Sequence, residues 1–397
     1  MLPLFRPNLD VTFKGWMGGA TYLENLARVL SLLPENERPQ ILIVTDGTIE
    51  TPVVRALFGT DAVEGVFAPD GAPIALKPEL FKVLVDGTNP NRAKIATLLA
   101  EPSAVFPVFR TMFEPVNALH WIPDFQHKHL PEMFDAAELA RRDADFATMA
   151  TARAYLLLSS HAAADDLKRF YPQATVRTFI WPFVSALDLQ LTPAADPRPK
   201  YALPDKYLLA PNQFWKHKNH MTAFAAIKAA RDHGRDVTLA CTGKASDFRH
   251  PAYFDELKSY VESGGLGEAI RFLGVVPQND LLQLIRFSAA VVQPSLFEGW
   301  STVVEDAKAI GRPLILSDLA VHKEQCEGLT NAHFFKRGDA ASLAGTLSRL
   351  WPTLAPGPDR VAEQQAVERR VIRENDSARA FVKILDAICP QRATSNG

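Results

Sequence analysis

Residues 289–318 read AAVVQPSLFEGWSTVVEDAKAIGRPLILSD, two apolar runs separated by a loop and a helical stretch. Ala290 to Gln293 has the composition of a short buried strand, Pro294 to Ser301 that of a loop at its carboxyl end. Thr302 to Ile310 reads as a helix stopped by Gly311, with Pro313 close behind. The second apolar run, PLILSD at 313–318, returns the chain to a parallel strand. Such a unit is the repeating piece of an open α/β sheet, in which ligands gather at the loop beyond the strand's carboxyl end. The first N–H groups of a helix have no partner within it. Ser301, Thr302 and Val303 therefore offer backbone donors, two hydroxyls and the positive helix end to a diphosphate. Glu305, about one turn further on, is expected to accept hydrogen bonds from a ribose diol, and Glu298 to face the other end of the same ligand. Standing alone, the two glutamates would read as a helix-end charge and a solvated loop carboxylate.

The flanking residues decide between these readings. The stretch Glu298-Gly299-Trp300-Ser301-Thr302-Val303-Val304-Glu305, preceded by Pro294-Ser295, resembles the signature of retaining glycosyltransferases of family 4. In that family a second glutamate follows the first by eight positions, whereas here the spacing is seven. The resemblance implies an α/β chain of GT-B fold, with two Rossmann-like doubly wound parallel-sheet domains facing across a cleft. It implies a nucleoside-diphosphate sugar as donor substrate, no metal and no other cofactor. Transfer of a hexose, mannose or a deoxyhexose, to a saccharide or lipid-linked saccharide in surface polysaccharide assembly is the expected activity. Glu298 would then face the hexose.

A second constellation, PNQFWKHKNHMTAFAAIKAARDHG from Pro211, places a basic aromatic loop between a strand and a helix opening near Asn219. Met221, Phe224, Ala225 and Ile227 form the expected inner side of that helix, and Lys218 stands at its mouth, ready to neutralise a diphosphate leaving group. In the resembling family this loop carries an arginine and, five positions on, a lysine. Lys218 matches the lysine, and Gln213 stands at the arginine position. A neutral amide stabilises a departing diphosphate less than a bidentate guanidinium does, and Lys216, His217 or Lys244 is the candidate to replace it in part. Gly243 at a strand end lets backbone come close. Gly274 and Val275 occupy the place where similar enzymes hold the base through backbone groups.

The amino-terminal half is expected to serve the acceptor. Gly18 and Gly19 read as a turn just before an amphipathic helix bearing Tyr22, Leu23, Leu26, Val29 and Leu30, where the main chain would approach the donor phosphate. The segment ALHWIPDFQHKHLPEMF at 118–134 resembles a variant of the family's acceptor loop, with Pro123 at the usual histidine and Asp124 at the aspartate. Asp124 is the first candidate to position or deprotonate the acceptor hydroxyl. His127 is the second, because an imidazole titrates near neutrality. His120 and His129 complete a histidine-rich stretch, but its spacing matches no zinc motif. Asp143-Ala144-Asp145 spells a metal-holding Asp-x-Asp, yet it falls in the helical RRDADFATMATARA and reads as a solvated helix face.

Apolar runs at 41–45, 83–86, 104–109, 118–122 and 155–160 read as one series of buried strands. Those at 206–212, 237–243, 270–274, 289–294, 313–318 and 333–335 read as a second. The Pro-rich stretch 188–206 suits a linker, giving domains at 1–192 and 193–358 and a helical segment at 359–397 expected to cross back to the first domain. With 397 residues the chain has room for two cores, and a net charge of −2 gives no global basic field for nucleic acid or an acidic membrane. Cys241, Cys326 and Cys389 lie far apart without metal-ligand spacing. The N-terminus lacks a signal-peptide plan, and no apolar run is long enough to span a bilayer. A cytoplasmic enzyme, at most peripheral to the inner membrane surface, is the expectation. Two other classes share the architecture: a sugar-nucleotide 2-epimerase, and a non-enzymatic two-lobed sugar-binding protein. A GT-B relic that binds without transferring also fits Gln213 and the shortened loop.

Overall fold

The computed structural model describes residues 4–5, 17–39, 41–44, 63–67, 73–76, 104–108, 117–187 and 195–389. Contacts divide the chain into two compact units: residues 1–125, 140–186 and 371–397, and residues 126–139 and 187–370. Residue 192 and the run at 83–86 lie outside the described residues.

In the first unit the strands are β1 (Leu4–Phe5), β2 (Ile41–Val44), β3 (Val63–Phe67), β4 (Pro73–Leu76), β5 (Ala104–Val108), β6 (Asn117–Ile122), β7 (Tyr155–Leu158) and β8 (Arg177–Ile180). They form one sheet in the order β4-β3-β2-β1-β5-β6-β7-β8, with β3 and β4 paired antiparallel. Tyr22 of the helix Met17–Ser31 is buried and stacks on Trp121 of β6 at 4.2 Å. Trp181 donates its indole N–H to the Ser377 carbonyl at 2.9 Å, which ties the helix Arg360–Ile388 to this unit over its second half.

The second unit holds β9 (Leu208–Pro211), β10 (Leu239–Thr242), β11 (Ile270–Gly274), β12 (Ala290–Gln293), β13 (Leu314–Ser317) and β14 (Ala332–Phe335). All six are parallel, in the order β11-β10-β9-β12-β13-β14. Alternate residues of each strand enter opposite cores. Leu208, Cys241, Val292 and Ile315 pack under the helices His220–Asp232, Tyr253–Ser263 and Ala340–Leu350. Leu209, Ala240, Val291 and Leu316 pack under Gln278–Phe287 and Thr302–Ile310. Burial on both faces is why these strands read as continuous apolar runs.

Gly311 ends the helix Thr302–Ile310 at φ +80°, and a β-carbon there would run into the Ala362 carbonyl, so only glycine lets the helix Arg360–Ile388 pass so close. The start of that long helix is held by Glu363, which accepts from Arg286 Nε and Nη2 at 2.7 and 3.0 Å.

Segment 126–139 counts with the second unit although it precedes first-unit residues in the chain. Arg249 explains this: its guanidinium pairs with Glu138 at 2.9 Å and lies 4.3 Å from the Phe134 ring centroid, while His129 packs on Phe297.

Candidate functional site

Strand order in the second sheet reverses between β9 and β12, and the crevice at such a switch point is where open α/β sheets take ligands. The loops leaving these two strands carry the candidates. After β9 the chain runs through Asn212 and Gln213 to a short 3₁₀ turn, Lys216–Lys218, and Asn219 takes a left-handed conformation at φ 56° to start the next helix. After β12 it runs from Pro294 to the helix Thr302–Ile310, capped by Ser301, whose hydroxyl accepts from the Val304 N–H.

These loops bring Lys218 and Glu298, eighty residues apart, into one ion pair. Lys218 Nζ lies 2.7 Å from Oε1 and 2.9 Å from Oε2 of Glu298. Glu298 Oε1 also accepts from Gln293 Nε2 at 2.8 Å and from the Ser295 hydroxyl at 2.6 Å. Burial by itself would raise the Glu298 carboxyl, but Lys218 and the neighbouring His322 and His217 outweigh it and hold the group at about 2. It is an anion at every physiological pH. Gln293 in turn accepts from Asn212 Nδ2 and donates weakly to Ser301 Oγ, so one buried amide joins both loops.

At the helix mouth the three expected backbone donors become two. The Ser301 N–H is taken by Gln325 Oε1 at 3.2 Å. Those of Thr302 and Val303 make no hydrogen bond among the described residues, and both residues are half-buried. What the helix mouth itself offers is thus two N–H groups and the positive helix end, with Lys218 on the neighbouring loop held by Glu298.

Glu305 departs from expectation. Instead of standing open to a diol it is fully buried, accepting on Oε1 from Lys308 at 2.8 Å and from Gln325 Nε2 at 3.2 Å. One turn of helix does bring it near the Ser301 cap, but on the packed side.

Other candidates are corrected in detail. Gly18 and Gly19 lie within the first turn of the helix Met17–Ser31 rather than before it. Gly243, at φ +132°, is required by its own chain, because a β-carbon there would meet the Asn212 carbonyl. Lys244 and Lys216 are exposed, Gln213 and Gly299 half-buried, and Val275 is 73% exposed on the loop after β11. His217 is buried, so it cannot replace a missing arginine as a cation: burial drives its imidazole down to about 3. Asp124 is half-buried, 4.0 Å from Arg142. His127, the second candidate for proton transfer, is buried at 1% exposure, its ring edge-on to Phe134. Asp143 lies on a helix as read, but it is half-buried and accepts from the Tyr171 hydroxyl at 2.8 Å rather than facing solvent. On the helix His220–Asp232, Ala226 is buried and Ala225 is not.

The two buried histidines of the Lys218 loop have a measurable consequence. Burial holds His217 and His220 at about 3, against an ordinary 6.5, so between these values the unfolded chain binds protons that the folded chain refuses. Stability from this source is complete above pH 6.5 and falls as pH drops toward 3. By ~pH 5 each histidine is expected to cost about 2 kcal/mol. Thermal melts across this range check it, and a melting temperature unchanged between ~pH 7 and ~pH 5 would contradict it.

Sequence reading missed the roles of Gln293, Ser295 and Gln325, three neutral polar residues that hold Glu298 and the Ser301 cap. The available signal was Gln293 itself, a polar residue ending an apolar strand.

Residues 195–351 match the family described as Glycosyl transferases group 1. The phosphatidyl-myo-inositol mannosyltransferase of Mycobacterium leprae (strain TN) is 30% identical over 116 residues, a stretch that spans 29% of this chain and 29% of that relative. Among solved structures, sucrose-phosphate synthase of Thermosynechococcus elongatus superposes with a TM-score of 0.61 at 17% identity, covering 99% of this chain and 97% of the other. HepE of Anabaena, solved with UDP and glucose, gives 0.60 at 18% identity over 99% and 98%. Residues 195–351 are therefore similar to the glycosyl transferases group 1 family, in a chain of GT-B fold.

Proposed function

We propose that this chain is a retaining, metal-independent glycosyltransferase that moves a hexose from a nucleoside-diphosphate sugar to a saccharide or lipid-linked saccharide. The observation that carries the reading is the Lys218–Glu298 pair set beside the free Thr302 and Val303 N–H groups at the sheet's switch point. A cation, two aimed N–H donors and a helix end fit a diphosphate. The anionic Glu298, anchored by Gln293 and Ser295, fits the hydroxyls or developing positive charge of a sugar. Lys218 and the helix end supply the positive charge that a metal would otherwise bring. The mannosyltransferase relative and the UDP and glucose in the HepE structure support a hexose donor.

In the reaction the acceptor oxygen bonds to the sugar's anomeric carbon on the face the diphosphate leaves. The bond from that carbon to the phosphate oxygen breaks, and the acceptor proton passes to the departing oxygen. Lys218 and the Thr302 and Val303 N–H groups stabilise the charge left on the diphosphate. Asp124 is assigned to position the acceptor hydroxyl. The Gly243, Lys244 and Val275 loops are assigned to the donor's nucleoside end. Among the described residues no helix is long and apolar enough to cross a membrane. A lipid-linked acceptor would be met at the cytoplasmic membrane surface.

The test is incubation with GDP-mannose, UDP-glucose and dTDP-deoxyhexose donors, with and without saccharide acceptors, followed by NMR. Expected is acceptor-dependent release of nucleoside diphosphate, an axial or equatorial product linkage matching the donor, and no loss with EDTA. Conversion of the donor sugar without any acceptor would replace this reading with the epimerase.

A further inference from the structure

Gln325 ends the helix Ala320–Gln325 and is 3% exposed. Its side-chain amide grips both polar groups of the Ser301 main chain: Oε1 accepts from the N–H at 3.2 Å, and Nε2 donates to the carbonyl at 3.1 Å. The same Nε2 donates to Glu305 Oε1, and Lys308 Nζ bridges that oxygen and the Gln325 carbonyl. The result is a closed ring of hydrogen bonds joining the cap, the first turn and the neighbouring helix.

Such a ring is an unusual way to fill a core. Glu305 is fully buried and the Lys308 side chain is 7% exposed, and a buried ion pair seldom adds net stability over apolar residues of the same size. Its effect is geometric. The Ser301 N–H is withdrawn from any ligand and the cap is fixed from behind, which leaves the Thr302 and Val303 N–H groups as the donors of the helix mouth. The Glu305 carboxylate, by accepting from Nε2, polarises the amide and strengthens its hold on Ser301.

We infer that Gln325 is a positioning residue for the diphosphate of the donor, with Glu305 and Lys308 holding its amide in place. It touches no reacting atom. This rests on the proposed function, and it gives Glu305 an indirect part in nucleotide binding in place of a contact to the ribose.

Calorimetric titration with GDP, UDP, guanosine and uridine tests it, on Gln325→Met, which removes all three side-chain hydrogen bonds at similar volume, and on Gln325→Glu. Gln325→Met is expected to weaken the diphosphates about tenfold, the loss that goes with misplacing one charge-assisted hydrogen bond, and to leave the nucleosides within about twofold of wild type. A side chain needed only for folding would weaken both alike, and that result, or unchanged diphosphate affinity, overturns the inference. Gln325→Glu separates the two even if the methionine variant does not fold. Protonated, the introduced carboxyl can donate to the Ser301 carbonyl and accept from its N–H as the native amide does; ionised, it cannot donate and repels Glu305. The diphosphate affinity of this variant is therefore expected to recover as pH falls, and a pH profile parallel to wild type counts against the inference. Failure of the wild-type protein to bind either diphosphate would sink the underlying function itself, a result distinct from any of these.

Discussion

Lys218→Ala is expected to give the largest single loss, lowering turnover by about 10²–10³-fold as the departing diphosphate loses its cation. The geometry adds a second effect. Glu298, whose side chain is only 7% exposed, would keep its hydrogen bonds from Gln293 and Ser295 but lose the ammonium that offsets its burial. Leaving one charge of a buried pair alone costs about 3 kcal/mol, so the variant should also melt earlier. Sign and window follow from the carboxyl. Held at about 2 against an ordinary 4.5, it contributes stability above pH 4.5 that fades as pH falls toward 2. Without Lys218 its carboxyl moves up, that contribution shrinks, and the melting temperature should depend less on pH at the acid end. Adding Glu298→Gln to Lys218→Ala should restore much of the melting temperature and none of the activity. Differential scanning fluorimetry and a turnover assay on the single and double variants check both halves. A Lys218→Ala protein with normal turnover would remove Lys218 from the leaving-group role.

Glu298→Gln is expected to separate transfer from binding. The amide keeps the shape and one acceptor oxygen but not the charge, so turnover should drop by about 10²-fold or more if the carboxylate serves the sugar in the transition state. Affinity for the nucleoside diphosphate should hold or rise, because Lys218 no longer has to leave a carboxylate to meet phosphate. In the proposed reaction that exchange would link the two ends of the donor, with Lys218 turning to the phosphate and the Glu298 carboxylate released toward the sugar. Calorimetry with GDP and UDP beside single-turnover kinetics decides the matter. Weakened nucleotide binding with intact turnover would reverse the assignment of the two ends.

What could be seen in the sequence follows from what shapes a sequence. All six strands of the second sheet stand where the apolar runs stand, since burial on both faces leaves no room for alternation. In the first sheet β8, RTFI, escaped notice because it is a half-buried edge strand with a charged residue, and β1 has only two residues. Lys218 and Glu298 were singled out because the residues around them resemble a family signature, since a lone glutamate in such a loop reads as a solvated carboxylate. Their pairing was not, because it depends on strand order: β9 and β12 are neighbours only through the crossover. Gln325 had no local signature at all, as its partners on the Ser301 cap and at Glu305 lie a helix and a strand away in the chain. The burial of Glu305 had a faint one in Lys308, one helical turn on and able to pair with it.

The most direct test of the whole account is a crystal structure of the protein with GDP or UDP bound. Diphosphate oxygens are expected within hydrogen-bond reach of the Thr302 and Val303 N–H groups and of Lys218 Nζ, with Lys218 drawn off Glu298. A nucleotide bound elsewhere, with the Lys218–Glu298 pair closed and both N–H groups still unoccupied, would contradict it.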